Sequence, residues 1–416
     1  MRNFLSRRKL LTRSAASVAA LTLGGELVGA RGPRAAAKDG AGAADRLAAL
    51  GRLDPAAPAD AAAPAGALAA KGKLPSFKFA LGAQKPVVYK GGSAKQSTAV
   101  DFPVSQSIAG VYMTLNPGGL RELHWHANAA EWAFVFEGRG RISVLDPQGR
   151  SELADFGPGD VWYFPRGHAH SIQAMGPGPT KFILAFDNGY FSEFATFSVT
   201  DWIARTPREI VARNLGIPLA QAALFPKKEV YIADGAIPPP LAQAPALGGA
   251  QPSAPLGHLF RLGAQSPVVE EPHGSLRLVS ENEFPISKTI TGALMRIEPG
   301  GMRELHWHPN ADEWQFVSKG AMRLTVFASS GLASVTDLGP EDVGFVPMGY
   351  GHALVNVGSE PLEAILVFNS GTYEEISLSS VVASAPPYLL ETNFRLSREA
   401  VNALPHANKF FAGPLT

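Results

Sequence analysis

Residues 117–126 read Pro-Gly-Gly-Leu-Arg-Glu-Leu-His-Trp-His, and residues 299–308 read Pro-Gly-Gly-Met-Arg-Glu-Leu-His-Trp-His. Five residues after the second histidine of each copy comes a Glu-Trp pair, Glu131-Trp132 and Glu313-Trp314. Side chains on a strand alternate with a period of two, so His124 and His126 share one face, as do His306 and His308. Two imidazoles on one strand face, met by a carboxylate from the next strand, make most of a metal site. The stretch predicts two metal sites in two copies of one β-domain.

Working outward, the repeat extends far beyond the motif. From Phe102-Pro103, matched to Phe284-Pro285, the copies run at a constant offset of 182 through Phe186 and Phe368. Over residues 117–133, thirteen of seventeen positions are identical to their partners, which identifies a duplicated domain. Within the first copy, short β-branched or aromatic runs at 110–115, 131–136, 140–145, 160–164 and 181–186 are separated by Gly and Pro turns. Strands of that length and spacing predict a sandwich or barrel. Helical patterning follows at 200–224 and again at 379–404, so each unit is a β-barrel with a small helical tail.

The 416 residues suffice for two or three domains with their own cores. A charged fraction of 18% with 43 Gly and 34 Pro suits a turn-rich β protein. The absence of cysteine excludes disulfides, thiolate chemistry and cysteine-bound zinc or iron–sulfur sites. At the N-terminus, Ser6-Arg7-Arg8-Lys9-Leu10-Leu11 precedes an apolar run at 15–23 and small residues up to Ala37. This pattern describes a cleavable export signal of twin-arginine type over residues 1–37, cut after Ala30 or Ala37. The apolar run falls short of the roughly 20 residues a bilayer requires, so no membrane anchor is expected. Loss of residues 1–37 removes seven Arg or Lys and one Glu, taking the net charge from +1 to −5. A mildly acidic body without basic runs argues against nucleic acid and anionic membranes as partners. Residues 38–74 form an Ala/Pro-rich linker or arm, 75–235 the first domain, 236–256 a Pro-rich connection and 257–416 the second domain.

A fourth ligand is available in Gly167-His168-Ala169-His170, where both histidines share a face. The repeat chooses between them, because His168 matches Tyr350 whereas His170 matches His352. The expected ligand sets are His124, His126, Glu131 and His170, and His306, His308, Glu313 and His352. Three imidazoles and one carboxylate leave positions open on a six-coordinate metal, an arrangement that suits Mn or Fe and admits Zn, Ni or Cu. Arg121 and Arg303 lie three residues before the first ligand, on the opposite face of an ideal strand. Reaching the metal therefore requires the Pro-Gly-Gly turn or a bulge. Their recurrence beside the ligands points to binding of an anionic substrate, most simply a carboxylate held in bidentate fashion.

His-Trp-His with its trailing Glu-Trp, the turn Gly157-Pro158-Gly159-Asp160, and Trp162-Tyr163-Phe164-Pro165 leading to His170-Ser171-Ile172-Gln173 together resemble the bicupin oxalate decarboxylases. The resemblance spans roughly residues 75–416 and takes in Asp201-Trp202 and Thr206-Pro207. It implies a mostly β fold of duplicated cupin domains, each a jelly-roll barrel with a small helical tail. It also implies two Mn(II) ions per chain, dioxygen as co-catalyst, conversion of oxalate to formate and carbon dioxide, and a homotrimer or homohexamer. In that family a lid over the first site carries an acid/base glutamate, which falls here on Glu193 in Ser192-Glu193-Phe194-Ala195. Arg121 then holds and polarises oxalate, and Arg303 is its counterpart. Phe194 and Ala195 stand where the family has small polar residues, which bears on how the lid closes. The lid positions of the second copy are Glu374-Glu375. The glutamate usual near the end of the preceding strand is missing from residues 364–367, Glu363 being nearest. The first site is accordingly expected to be catalytic and the second mainly structural.

Two other readings use the same scaffold. An oxalate oxidase would release hydrogen peroxide in place of formate. A non-catalytic metal-binding bicupin would be expected to have lost ligands in one barrel, whereas this chain keeps all eight.

Overall fold

The structure is a computed structural model in which residues 74–192, 196–244, 256–405, 407, 409–414 are described. The expected export signal, nearly all of the expected arm, most of the Pro-rich connection, and Glu193, Phe194 and Ala195 lie outside the described residues.

Each half of the chain folds into two antiparallel sheets. In the first half, a seven-stranded sheet runs in the order Leu259–Phe260, Val161–Phe164, Glu131–Glu137, Thr180–Phe186, Ala109–Leu115, Gly92–Ser97, Val87–Tyr89. Facing it are Thr196–Ser198, Leu120–His126, Ala169–Ala174, Gly140–Leu145 and Ser151–Phe156, with Ile232–Ala233 pairing the free part of Leu120–His126. The second half repeats both sheets strand for strand. This is the double jelly-roll barrel expected from the sequence.

Strands at the centre of the seven-stranded sheets are apolar on both faces, and the packing shows why. In Thr180–Phe186, Phe182, Leu184 and Phe186 point into the barrel, while Ile183 and Ala185 point out. The outward set meets Ile365 and Val367 of the second barrel in one shared core. A sheet covered on both faces loses the polar alternation of a half-buried one. The Glu-Trp pairs follow the same logic: Glu131 and Glu313 face inward, whereas Trp132 and Trp314 face the other barrel and are fully buried. Each indole lies on a glycine across the interface. A Cβ on Gly292 would come within 2.1 Å of the Trp132 ring, and one on Gly110 within 2.3 Å of Trp314. Only glycine leaves room for the two rings.

The barrels also exchange their leading strands. Lys78–Phe79, at the start of the first domain, pairs with Val343 and Gly344 of the second barrel. Reciprocally, Leu259–Phe260 pairs with Val161 and Trp162 of the first. The sequence boundaries at 75 and 257 thus stand just ahead of strands that serve the opposite barrel. Each exchanged strand brings a cation to the aspartate of a turn. Arg261 pairs with Asp160, and Lys78 lies 2.7 Å from Asp342.

The helical tails are each three short helices: Val199–Arg205, Arg208–Leu215 and Leu219–Ala222, then Leu378–Ser384, Pro387–Phe394 and Arg398–Asn402. Prolines set the breaks, with Pro207, Pro218 and Pro386 at N-caps, where a missing N–H costs nothing.

Candidate metal centres

The first site is assembled by the strand Leu120–His126. His124 lies opposite His170 on one neighbour and opposite Ser198 on the other. Glu131 enters from the facing sheet. One ligand atom from each of His124, His126, Glu131 and His170 lies within 4.8 Å of the others, and the same holds for His306, His308, Glu313 and His352. All eight residues are buried. The structure therefore brings together both sets expected from the sequence.

The outward nitrogen of every histidine is already engaged. His124 Nδ1 donates to the Glu122 carbonyl (2.7 Å) and His170 Nδ1 to that of His168 (2.8 Å). In the second site, His306, His308 and His352 donate to the carbonyls of Glu304 (2.7 Å), Glu374 (2.8 Å) and Tyr350 (3.0 Å). His126 Nδ1 meets Thr196 Oγ1 at 3.0 Å, and that hydroxyl itself donates to the Phe191 carbonyl at 3.3 Å. A carbonyl only accepts, so Nδ1 carries the proton and Nε2 presents a lone pair inward.

Those lone pairs converge on a carboxylate. Glu131 Oε2 lies 3.2 Å from His126 Nε2 and 3.3 Å from His170 Nε2, and Glu313 Oε2 lies 2.9 and 3.0 Å from His308 and His352. Burial, chiefly, pushes His126 down to about 4 and holds His124 and His306 well below the usual imidazole range; neighbouring imidazoles, Arg121 and Arg303 add to it. Burial alone would raise the Glu131 and Glu313 carboxyls; a facing histidine that also takes a proton at Nε2 outweighs it and holds them below the usual range, whereas with Nε2 bare nothing on the protein offsets the carboxylate charge. Neutral imidazoles and an ionised carboxylate oppose acceptor to acceptor. A cation at their centre resolves this, so the donor set fits a divalent metal with three nitrogens and one oxygen.

Beyond the ligands, the two sites differ in how the carboxylate is steadied. The second oxygen of Glu131 accepts from Trp162 Nε1 at 2.9 Å. In the second barrel Gly344 replaces that tryptophan, and Gln315, at the position of Ala133, donates its amide to Glu313 Oε1 at 2.8 Å. A Cβ on Gly344 would strike the Gln315 amide at 2.3 Å. The two exchanges are therefore one compensated change.

The arginines reach the sites through a bulge. Ile172 pairs with Arg121 and His170 with His124, so three residues on the ligand strand span two on its neighbour. The same irregularity separates Arg303 from His306. Without it Arg121 would face away from the ligands; with it, Arg121 lines the cavity beside them. Its Nη1 donates to the Tyr231 carbonyl at 3.2 Å, and its guanidinium carbon lies 3.8 Å over the Tyr231 ring. Among the described residues no carboxylate forms an ion pair with Arg121. Arg303 sits likewise 3.5 Å over Phe410, but its Nη2 is bound by Glu375. The cavities differ accordingly, at about 300 Å³ in the first barrel and about 10 Å³ in the second.

Of the remaining expectations, Glu193 lies outside the described residues. His168, which the repeat sets aside as a ligand, is absent from the cavity wall and turns its ring toward His258, with centroids 5.9 Å apart. It serves the site through its carbonyl. Glu363 takes no part, pairing instead with Arg296 and Lys319. The sequence reading missed Glu122, whose carboxylate accepts from the backbone of Tyr231 (2.7 Å) and Thr200 (3.1 Å) and so fastens the tail over the site. Its signal was present, since Arg-Glu precedes both ligand motifs. It also missed Tyr231 and Glu229; the latter lines the first cavity and accepts from Ser198 Oγ at 2.5 Å.

Comparison with known proteins places this geometry. A family profile described as cupin matches twice, over residues 79–222 and 260–402. The oxalate decarboxylase of Bacillus subtilis (strain 168) is 40% identical over 329 residues, covering 79% of this chain and 84% of that protein. A probable oxalate decarboxylase of Arthroderma benhamiae is 31% identical over 341 residues, covering 81% of this chain and 83% of that protein. The structure of the Bacillus subtilis enzyme at pH 4.6 superposes with a TM-score of 0.77 at 38% identity, covering 83% of this chain and 89% of that one. A further structure of the same enzyme, with the same TM-score, was studied for its Mn(II) centres.

Proposed function

Since the chain belongs to the cupins and, among them, to the oxalate decarboxylase family, we propose that its first barrel converts oxalate to formate and carbon dioxide with bound Mn(II) and dioxygen. The observation that carries this is Arg121, a buried guanidinium beside three imidazoles and a carboxylate, facing a cavity of about 300 Å³ without an acid to pair with among the described residues. His124, His126, Glu131 and His170 hold the metal of this site; His306, His308, Glu313 and His352 hold the second. When bound, manganese supplies the one-electron chemistry with dioxygen that weakens the oxalate C–C bond.

The protein's own groups do the rest. Arg121 donates to one carboxylate of oxalate in a site walled by Val111, Met113, Leu184 and Phe186, where low polarity strengthens each charge-assisted bond. Burial, above all, raises Tyr89 to about 12 despite the opposing pull of Arg121, so its phenol remains a donor on the cavity wall. Glu193 takes the proton of the oxalate monoanion. After the C–C bond breaks and carbon dioxide departs, it returns that proton to the remaining carbon, which becomes formate. Keeping water away until then is the work of a closing loop. The twin-arginine segment takes the folded protein out of the cell with its metal in place. Assembly into a trimer or hexamer is supported by exposed aromatic surface beside the ligand strand, where Trp202 packs on Trp125 at 5.7 Å.

The test is product balance. Oxalate turnover is followed with manganese content, formate and hydrogen peroxide measured on one sample, at full and limited oxygen. The proposal expects formate in large excess, with rate falling when oxygen is withdrawn. Glu193→Ala should lower formate at least tenfold, while Glu363→Gln retains it. Peroxide as the main product of the unaltered chain would replace this reading with that of an oxalate oxidase.

A further inference from the structure

We propose that Glu375 is a built-in anion filling the substrate position of the second site, so that each chain offers a small dicarboxylate one site, not two. This rests on the reading of the first site as an oxalate site. The two barrels are internal controls for one another, sharing the ligand set, the bulge and the buried arginine. Among the described residues they differ in what faces that arginine.

In the second barrel Glu375 Oε2 accepts from Arg303 Nη2 and from the Tyr373 hydroxyl, the latter at 2.5 Å. A guanidinium and a phenol converging on one carboxylate are what one end of a bound dicarboxylate would require. Tyr373 and the Phe410 ring wall the second cavity where Phe191 and Tyr231 wall the first, and about 10 Å³ remains there against about 300 Å³.

Chain length explains how the carboxylate reaches the arginine. Phe191 and Tyr373 occupy matching places, each against the second histidine of its motif, with centroids 5.8 and 5.4 Å away. Ser198 and Ser377 also match, each opposite the first histidine. Between these points the second barrel has three residues fewer. The shortened segment is tied at Glu374, whose carbonyl accepts from the ligand His308 at 2.8 Å. In the first barrel the matching bond goes to the side chain of Thr196.

The experiment uses the full chain loaded with manganese. Formate binding is titrated calorimetrically, and water-proton relaxivity per chain reports how many bound ions exchange solvent. The unaltered protein should bind one formate, and Arg121→Gln none. Glu375→Ala should bind two, with relaxivity rising about twofold as a second open metal position gains water. Two formates on the unaltered chain, formate retained by Arg121→Gln, or an unchanged relaxivity in a folded, fully loaded Glu375→Ala would overturn the proposal. Should Glu375→Ala not fold, Glu375→Gln keeps the shape without the charge. A smaller rise in relaxivity supports the proposal and none refutes it. If the unaltered chain binds no formate at all, the oxalate reading fails, and relaxivity still decides the role of Glu375.

Discussion

Stripping the metal should make this protein unusually sensitive to mild acid. His126 is fully buried and pushed to about 4, against 6.5 for an unperturbed imidazole. Between those two values the unfolded chain holds a proton on this residue and the folded chain does not. Stability therefore falls as pH drops from about 6.5 to about 4 and is level outside that window. The gap corresponds to about 3 kcal/mol. His124 and His306, pushed in the same direction, add to it. Glu131 and Glu313, held low, keep their stabilising contribution down to the ordinary carboxylate range and lose it only below, so they do not offset the loss. For units of this size about 3 kcal/mol lowers Tm by roughly 10 °C. Calorimetry of the chelator-treated protein at pH 7, 5.5 and 4.5 measures it, and His126→Gln, which cannot titrate, should flatten the curve. A Tm constant to within about 2 °C across that range in the unaltered apoprotein, or equal slopes in both proteins, would show that the imidazoles are not held neutral as argued.

Arg121→Gln removes charge-assisted bonds of about 1.5–3 kcal/mol each, so kcat/KM for oxalate should fall roughly 10²- to 10³-fold, with metal content unchanged. Arg303→Gln instead leaves the partly buried Glu375 without its cation, and the protein should lose about 1–3 kcal/mol in urea denaturation. Trp162→Phe keeps the packing but deprives Glu131 of its indole donor. Metal competition should then show affinity at the first site reduced about 10- to 100-fold, with the second unaltered. Gly292→Ala forces a methyl into the Trp132 ring and should cost about 1–3 kcal/mol, part of which Trp132→Phe recovers.

Much of the fold was legible because the decisive signals are local. The two-residue spacing of His124 and His126 puts them on one face, and the repeat distinguished His170 from His168 without any structure. Arg121 was legible only conditionally, since nothing in Leu120–His126 marks where a bulge falls; that depends on pairing with Ala169–Ala174. Trp132 looked like part of the metal motif, whereas its burial depends on Gly292, 160 positions away. The exchange of leading strands was invisible for a different reason, because two paired residues carry no periodicity. Glu375 was noted as a lid counterpart by counting from Phe368. Its bond to Arg303 depends on a count that changes across the loop, as Ser198 and Ser377 mark.

The reciprocal strands have a further consequence. Each barrel is completed by hydrogen bonds to a segment that precedes the other, so the halves are held by mutual complementation as well as by the peptide connecting them. A chain severed between Ala244 and Leu256 keeps both strand exchanges and the tryptophan–glycine contacts, and should persist as a two-piece particle. Two unconnected copies of one barrel could form the same arrangement, but every substitution would then appear in both. Covalent joining lifts that constraint. It lets Ala133 and Gln315, or Phe191 and Tyr373, diverge while the shared frame stays symmetric, and the division of labour between the sites follows from that freedom.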